Sequence, residues 1–520
     1  MRRSTLKLGG LRKLWRATLA GMLLTISIPA EALLLPQDEA VREITGQMAE
    51  LVAADVSPAV KKQFNLLIDS RGSVSYPRRV MESFFLLKDF RNFFYSSSWD
   101  VQQRLALTRF KADPVTSEEE FAYDELISSG NFPEEVLKLR PPVANYPLYR
   151  SHIAQLLLQK QDLPRYRFTV LRPGSRRSEV RILKEALIKL QYLPEDDSPD
   201  NFFDETLTEA VKKFQKDSHI KDDGVAGRIT YDHLYSSGED KAVSLARNLL
   251  RLSVPELHSR DPFILVNLPQ AQLFVYEDGK EVLTSLVIAG SVSHKTPLLK
   301  SRIDNVVFNP PWNVPSSIKH SEYLPHLEQD PFYLAKRGLH LVDHNNRQVT
   351  PQELVENYSL EEVSNLRIVQ KPGAANALGL YKFDFPNPFS VYLHSTSNMS
   401  KFRTSYRYLS HGCVRVEKSR ELAEHLLRET KWNEEEIGKI IKNGKTRRVK
   451  LDDEMPVFIA YITSYVNADG EDVFFIDPYR YDFHKKFSRE ESLSIAREAY
   501  NASEITPDES EHSKVDDLQK

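Results

Sequence analysis

Apolar residues recur every three to four positions in "ITGQMAELVAADV" and "MESFFLLKDFRNFF", the spacing of helices that turn one face to a core. Proline-containing breaks such as "RPPVANYP" separate these segments, so residues 37–165 are predicted to form a mostly helical scaffold domain. A compact unit is predicted over 166–237. There Val180, Leu183, Leu187 and Leu190 share one helical face, and Leu207, Ala210, Val211 and Phe214 line another behind the N-cap candidate Asp204. Gly224 and Gly227 in "DDGVAGRITYDHL" supply tight turns before a third short helix.

From about residue 262 the period changes to two. "FILVNL", "QLFVYEDGKEVLTSLVIAG" and "VFIAYITSYVNADGEDVFFID" read as strands, with Asp278-Gly279 and Asp469-Gly470 as hairpin turns. A β-rich domain is therefore expected over 262–480, with "SRELAEHLLRET" as one of its few helices. Residues 316–370, polar and charged, are too long for a plain connection inside such a domain and predict an inserted lid. The predicted fold class is multidomain α+β: a helical scaffold, a small three-helix module and a β-rich domain carrying a lid. The acidic, polar stretch 485–520 is expected to be a disordered tail.

Composition adds compartment and partner class. A length of 520 residues exceeds one ordinary hydrophobic core, and 41% hydrophobic with 28% charged content describes a globular chain. A net charge of −3, without a basic patch interleaved with aromatics, gives no electrostatic case for nucleic acid. At the N-terminus, "MRRSTLKLGGLRKLWR" precedes the apolar run "ATLAGMLLTISI" and an A-x-A pattern at Ala30 and Ala32. This is the layout of a secretory signal peptide over residues 1–32, and the run is short of the ~20 apolar residues a membrane span needs. The expected location is the periplasm, with retention by the leader as an inner-membrane anchor as the alternative.

The chain has one cysteine, in "YLSHGCVRVEK". A lone thiol cannot form an internal disulfide, and in an oxidising compartment it is either a buried small residue or a working nucleophile. A nucleophilic thiol needs a base and donors for an oxyanion. His394 in "VYLHSTS" stands at the exit of a short strand, 19 residues before Cys413, and His411 lies beside the thiol. Gly412 either admits a close-approaching carbonyl or simply permits positive φ.

"YLHST" followed by "LSHGCVRV" resembles the catalytic signature of the YkuD-type L,D-transpeptidases. "QLFVYEDGKEVLTSLVIAG", "TPLLKSRIDNVVFNPPWNVP" and "PGAANALGLYKF" extend the resemblance in the family's order. Residues 166–237 resemble the peptidoglycan-binding-like domain through "SEVRILKEALIKLQYL", "FDETLTEAVKKFQK" and "DGVAGRITYDHL". The combination is similar to the large Gram-negative, YcbB-like subgroup. The resemblance implies that Cys413 is the acylated nucleophile and His394 the general base, oriented by the backbone carbonyl of Ser395. It implies an oxyanion hole from the Gly412 and Cys413 N–H groups with the Tyr392 hydroxyl. Ser410 and Arg415 would shape the site or meet a substrate carboxylate, and Trp312 and Asn376 would wall the donor pocket.

The implied reaction attacks the third residue of a peptidoglycan tetrapeptide stem, releases D-Ala and passes the acyl group to a side-chain amine of a second stem, giving a 3→3 cross-link. Donor and acceptor stems are the expected partners, together with other wall-synthesis enzymes, and a monomer is expected. No cofactor is required, and the chain lacks a G-x-x-x-x-G-K-[ST] phosphate loop. Water as acceptor would make an L,D-carboxypeptidase, and a lipoprotein as acceptor an attachment enzyme. Two other classes stand beside it: a non-catalytic wall-binding scaffold, and a metal enzyme using His340 and His344, which are four apart but lack the H-E-x-x-H glutamate. No metal site is expected.

Overall fold

The computed structural model describes residues 37–159, 162–196, 199–218 and 220–482, with 493, 494, 496, 497 and 500. The expected leader at 1–32, and 485–520 apart from those five positions, lie outside the described residues. Among the described residues no helix is long and apolar enough to cross a membrane. The chain divides into two compact units, one built from residues up to Asp261, 277–281 and 461 onward, the other from Pro262–Tyr276 and Val282–Ala460.

The first unit is helical. Its longest helix, Tyr76–Ser96, buries Phe84, Phe85, Phe90 and Phe94, as the aromatic spacing requires. The helix Gly238–Leu252, which the apolar pattern did not single out, buries polar as well as apolar side chains. Arg247 and Arg251 both bond to Asp482, with Arg247 Nε 3.0 Å from its carboxylate. The Asn248 amide donates to Ser464 Oγ at 2.9 Å and its carbonyl oxygen accepts the Thr463 N–H at 3.0 Å. Residues 461–480, expected in the β-rich domain, therefore belong to the helical unit. Two fully buried guanidinium groups need a carboxylate, and the segment ending at Asp482 supplies it. Its hairpin, Ser464–Val466 against Asp472–Phe474, turns through Asp469-Gly470.

Within this unit the 166–237 module has its own core of Val180, Leu183, Leu187, Leu207, Ala210, Val211 and Phe214. Asp204 caps its middle helix, accepting the Leu207 N–H at 2.8 Å.

The second unit is a nine-stranded sheet with an inserted subdomain. Its strands are β1 (Phe263–Asn267), β2 (Gln272–Glu277), β3 (Lys280–Gly290) and β4 (Leu299–Phe308). The insertion supplies β5 (Trp312–Asn313), β6 (Leu339–Val342), β7 (Gln348–Val349) and β8 (Arg367–Gln370). Then follow β9 (Tyr381–Asp384), β10 (Leu393–His394), β11 (Tyr408–Ser410), β12 (Val414–Val416) and β13 (Arg447–Ala460). The order is β11-β3-β12-β10-β9-β4-β13-β1-β2, and β2 also pairs with β3, so the sheet closes on itself. Asp278 and Gly279, at φ 50° and 73°, form the two-residue turn between β2 and β3. The 316–370 segment is a folded subdomain rather than a loop. It shares the separate sheet β5-β8-β6-β7 and a core containing Leu327, Leu339, Leu341, Leu354 and Ile368. His340 lies on β6 and His344 in the turn beyond it, so they do not share the helix face that a four-residue chelate needs.

Candidate active site

Register fixes which side chains meet. Leu393 pairs with Val414 and Phe383, Phe383 with Val306, and Val306 with Val449. This row is buried and apolar and forms the core side of the sheet. The next row is Arg415, His394, Lys382, Val307 and Arg448, running across β12, β10, β9, β4 and β13 on the other face. A strand of only two residues thus aims His394 away from the core while Leu393 anchors it.

Cys413 immediately precedes β12, beside β10, which runs parallel to it. The turn holding it is built by Ser410, whose hydroxyl donates to the Cys413 carbonyl at 2.5 Å and accepts the Gly412 N–H at 3.1 Å. Gly412 sits at φ +116°, a backbone region that side-chain-bearing residues avoid. Buried Thr296 braces the turn from behind, donating to the Gly412 carbonyl at 2.8 Å and accepting the Gly290 N–H at 2.8 Å. The Gly412 N–H, expected as an oxyanion donor, is thereby spent on Ser410.

The thiol is half-buried, and burial pushes its pKa up. Against this act the backbone N–H and hydroxyl of Tyr392 and the positive charges of Lys382 and Arg415. Burial and the neighbouring thiol keep the Tyr392 phenol protonated as a donor, and the Trp312 indole N–H in turn bonds to it. Trp312 stands on β5, so the sheet of the inserted subdomain reaches the Tyr392 side chain. A second link from that subdomain is the 2.7 Å pair of His411 Nε2 with Glu322. His411 is therefore turned to the lid.

His394 is 4% exposed. Its pKa is lowered to about 3, first by burial and then by Arg415, while the carbonyls of Ser395 and Leu378 work the other way. Those carbonyls lie near the ring, although Nδ1 closes no hydrogen bond of regular geometry. The Ser395 hydroxyl is engaged elsewhere, accepting the Leu380 N–H at 2.9 Å and donating to the Leu378 carbonyl at 3.2 Å. Gly379, at φ +63°, makes this approach possible. A Cβ there would stand 1.9 Å from Ser395 Oγ and 2.8 Å from the Thr396 nitrogen.

Arg415 is half-buried, and its Nε has no hydrogen-bond partner among the described residues. Asn376, expected as a pocket wall, is 1% exposed, and its amide is spent on its own loop. Nδ2 reaches the Lys371 carbonyl at 2.9 Å and Oδ1 accepts the Leu378 N–H at 2.8 Å. A buried amide satisfied by its own backbone fixes a loop instead of facing a ligand.

Sequence reasoning missed Thr296, Gly379, Asn387 and Lys382. Asn387 clamps the loop before Tyr392, donating to the Val391 carbonyl at 2.7 Å and accepting the Val391 N–H at 3.1 Å. That loop carries Ser390 at φ +55°, with its carbonyl 4.0 Å from Cys413 Sγ. Among the described residues no group of three or more metal-ligating side chains gathers.

Residues 261–459 match the family model of the YkuD domain, the L,D-transpeptidase catalytic domain. Residues 176–234 match that of the "Putative peptidoglycan binding domain". The chain thus carries a YkuD-type domain beside a peptidoglycan-binding-type domain. A Haemophilus influenzae protein named "Putative L,D-transpeptidase" is 38% identical over 239 residues, 46% of this chain and 48% of that protein. The match spans about half of that relative's length. Two solved L,D-transpeptidase structures align with the chain. That from Stackebrandtia nassauensis has 16% identity and a TM-score of 0.18, covering 56% of this chain and 94% of that one. That from Xylanimonas cellulosilytica has 15% identity and a TM-score of 0.18, covering 58% and 100%. At those scores the structural likeness carries no argument.

Proposed function

We propose that this chain is a peptidoglycan L,D-transpeptidase that works through a Cys413 thioester. The observation that carries the proposal is the thiol itself: half-buried at the head of β12, beside the strand bearing His394, with Tyr392, Lys382 and Arg415 all acting to lower its pKa. An inert cysteine needs none of these.

In the resting site both partners are neutral, because burial raises the thiol and lowers the imidazole. The proton therefore moves as the sulfur attacks, not before. Sγ bonds to the carbonyl carbon of the stem's third residue while His394 takes the thiol proton. With the Gly412 N–H occupied, the developing oxyanion falls to the Cys413 N–H and the Tyr392 hydroxyl. The carbon–nitrogen bond to D-Ala then breaks, and the imidazolium returns its proton to the departing amine. A side-chain amine of a second stem attacks the thioester, loses its proton to His394 and displaces the sulfur, leaving a 3→3 cross-link. One peptide bond is exchanged for another, so no external energy source is consumed. Wall stems as donor and acceptor put the working site in the periplasm, in keeping with the leader expected at residues 1–32.

The test is mass spectrometry of wall fragments bearing tetrapeptides after incubation with the protein and its Cys413→Ala variant. Wild type should yield dimers that have lost one D-Ala, and the variant none. Tripeptide monomers alone would make the protein a carboxypeptidase, and no D-Ala release from either protein would refute the proposal.

A further inference from the structure

His394 has a cation on each side in its cross-strand row, Arg415 on β12 and Lys382 on β9. The two are placed differently. Arg415 leaves its Nε without a hydrogen-bond partner among the described residues, whereas the Lys382 ammonium is tethered to a carboxylate. We infer that Lys382 is a positioning residue for the transpeptidase reaction: its ammonium pins the Tyr392 ring, and through the ring the hydroxyl that receives the oxyanion. The inference rests on the transpeptidase proposal and adds to its site a residue that acts through Tyr392.

Geometry comes first. Tyr392 immediately precedes β10, two residues from His394, so the two side chains leave the same face. Their rings lie 5.6 Å apart at 65°, edge to face. Lys382 pairs with His394 across β9 and β10, and its Nζ stands 4.2 Å from the centre of the Tyr392 ring. That is cation–π contact, and the half-buried lysine has shed part of the water that would compete with it. Asp384, two residues along β9 on the same face, accepts Lys382 Nζ at 2.6 Å. The carboxylate thus holds a flexible four-carbon stem over the ring.

The ring needs such a holder. The Val414 N–H donates to the Tyr392 carbonyl at 3.1 Å, which fixes the main chain but leaves the side chain free to turn. Tyr392 is only partly buried, so packing alone does not stop that rotation. Trp312 bonds to the hydroxyl at the far end, and Lys382 and His394 bracket the ring itself. A hydroxyl that swings by an ångström no longer meets a forming oxyanion, so a restraint on the ring is a restraint on the rate.

The experiment measures the rate constant for acylation of Cys413 at saturating carbapenem, by intact mass, for wild type, Lys382→Met, Tyr392→Phe and the double variant. Methionine keeps the reach of the lysine stem, and Asp384 retains Arg448 Nη2 at 3.1 Å, so no carboxylate is stranded. Lys382→Met should slow acylation about tenfold and leave the half-saturating carbapenem concentration unchanged. In the Tyr392→Phe background the same change should cost less than about twofold, because the hydroxyl it positions is gone. Lys382→Arg, whose guanidinium also lies well on an aromatic face, should recover most of the wild-type rate. Equal slowing in both backgrounds would mean that Lys382 acts directly on the sulfur, His394 or the ligand, and would overturn the inference. So would no slowing by Lys382→Met, a Tyr392→Phe variant as fast as wild type, or no recovery with Lys382→Arg. Should Lys382→Met melt well below wild type, Lys382→Gln repeats the cycle under the same criteria. A wild type that takes no acyl group at Cys413 would overturn the transpeptidase proposal along with it.

Discussion

Lowering the pH tests the burial of His394 twice, once through stability and once through rate. The native imidazole has a pKa of about 3, set first by burial and then by Arg415. In the unfolded chain the ring returns to about 6.5. Between those values the unfolded state binds a proton that the native state refuses. Stability from this group is therefore complete above pH ~6.5 and drains away as the pH falls toward 3. From pH 7 to 5 the loss is about 2 kcal/mol, and across the whole window about 5 kcal/mol at 1.36 kcal/mol per unit. Urea unfolding of wild type and His394→Gln at pH 7 and pH 5, followed by tryptophan fluorescence, isolates the term, because other titrating groups cancel between the two proteins. Wild type should lose about 2 kcal/mol more than the variant. The rate follows the same arithmetic. At pH 5 a base of pKa about 3 is still about 99% neutral, whereas one of pKa 6.5 is about 3% neutral. Acylation of Cys413 by a carbapenem, read by intact mass, should therefore keep its general base down to pH 5. Equal pH losses in the two proteins, or an acid limb near pH 6.5, would refute a buried, neutral His394.

Three substitutions probe the remaining supports. Tyr392→Phe removes the hydroxyl from the sulfur and should slow carbapenem acylation roughly 10- to 100-fold; a change under about twofold would count against the donor role. Thr296→Val keeps the shape but removes the hydroxyl that bonds both the buried Gly412 carbonyl and the Gly290 N–H. It should cost about 1–3 kcal/mol in the denaturant midpoint and slow acylation as the Cys413 turn loosens. Gly379→Ala places a methyl 1.9 Å from Ser395 Oγ at a positive φ. That should cost about 3 kcal/mol or more and abolish acylation, with thermal melting and intact mass as the readouts.

The thiol's turn and the short strand carrying His394 beside it were legible because each depends on local chain geometry. Gly412 must accept positive φ, Ser410 reaches two residues ahead, and "VYLH" alternates core and site within a single short strand. The helical and β-rich halves were equally legible, since period and turn residues are local signals. Asn376 was misjudged for the converse reason. An asparagine looks the same in sequence whether it faces a ligand or staples its own loop, and only its burial and three loop partners decide. Residues 461–480 were assigned to the β-rich domain because their strand-like pattern says nothing about which buried arginines the following Asp482 will neutralise.

By itself the sequence determined the elements, the lone thiol and the residues around it, because propensity, patterning and turn chemistry act over a few positions. Tertiary structure alone decided which distant side chains share the face of His394. Strand register set Lys382 next to it and Arg448 three strands along the same row, and the close approach of the 379 and 395 backbones selected a glycine. The same burial that raised the thiol and lowered the imidazole follows from packing density around them, a quantity no single stretch of chain contains.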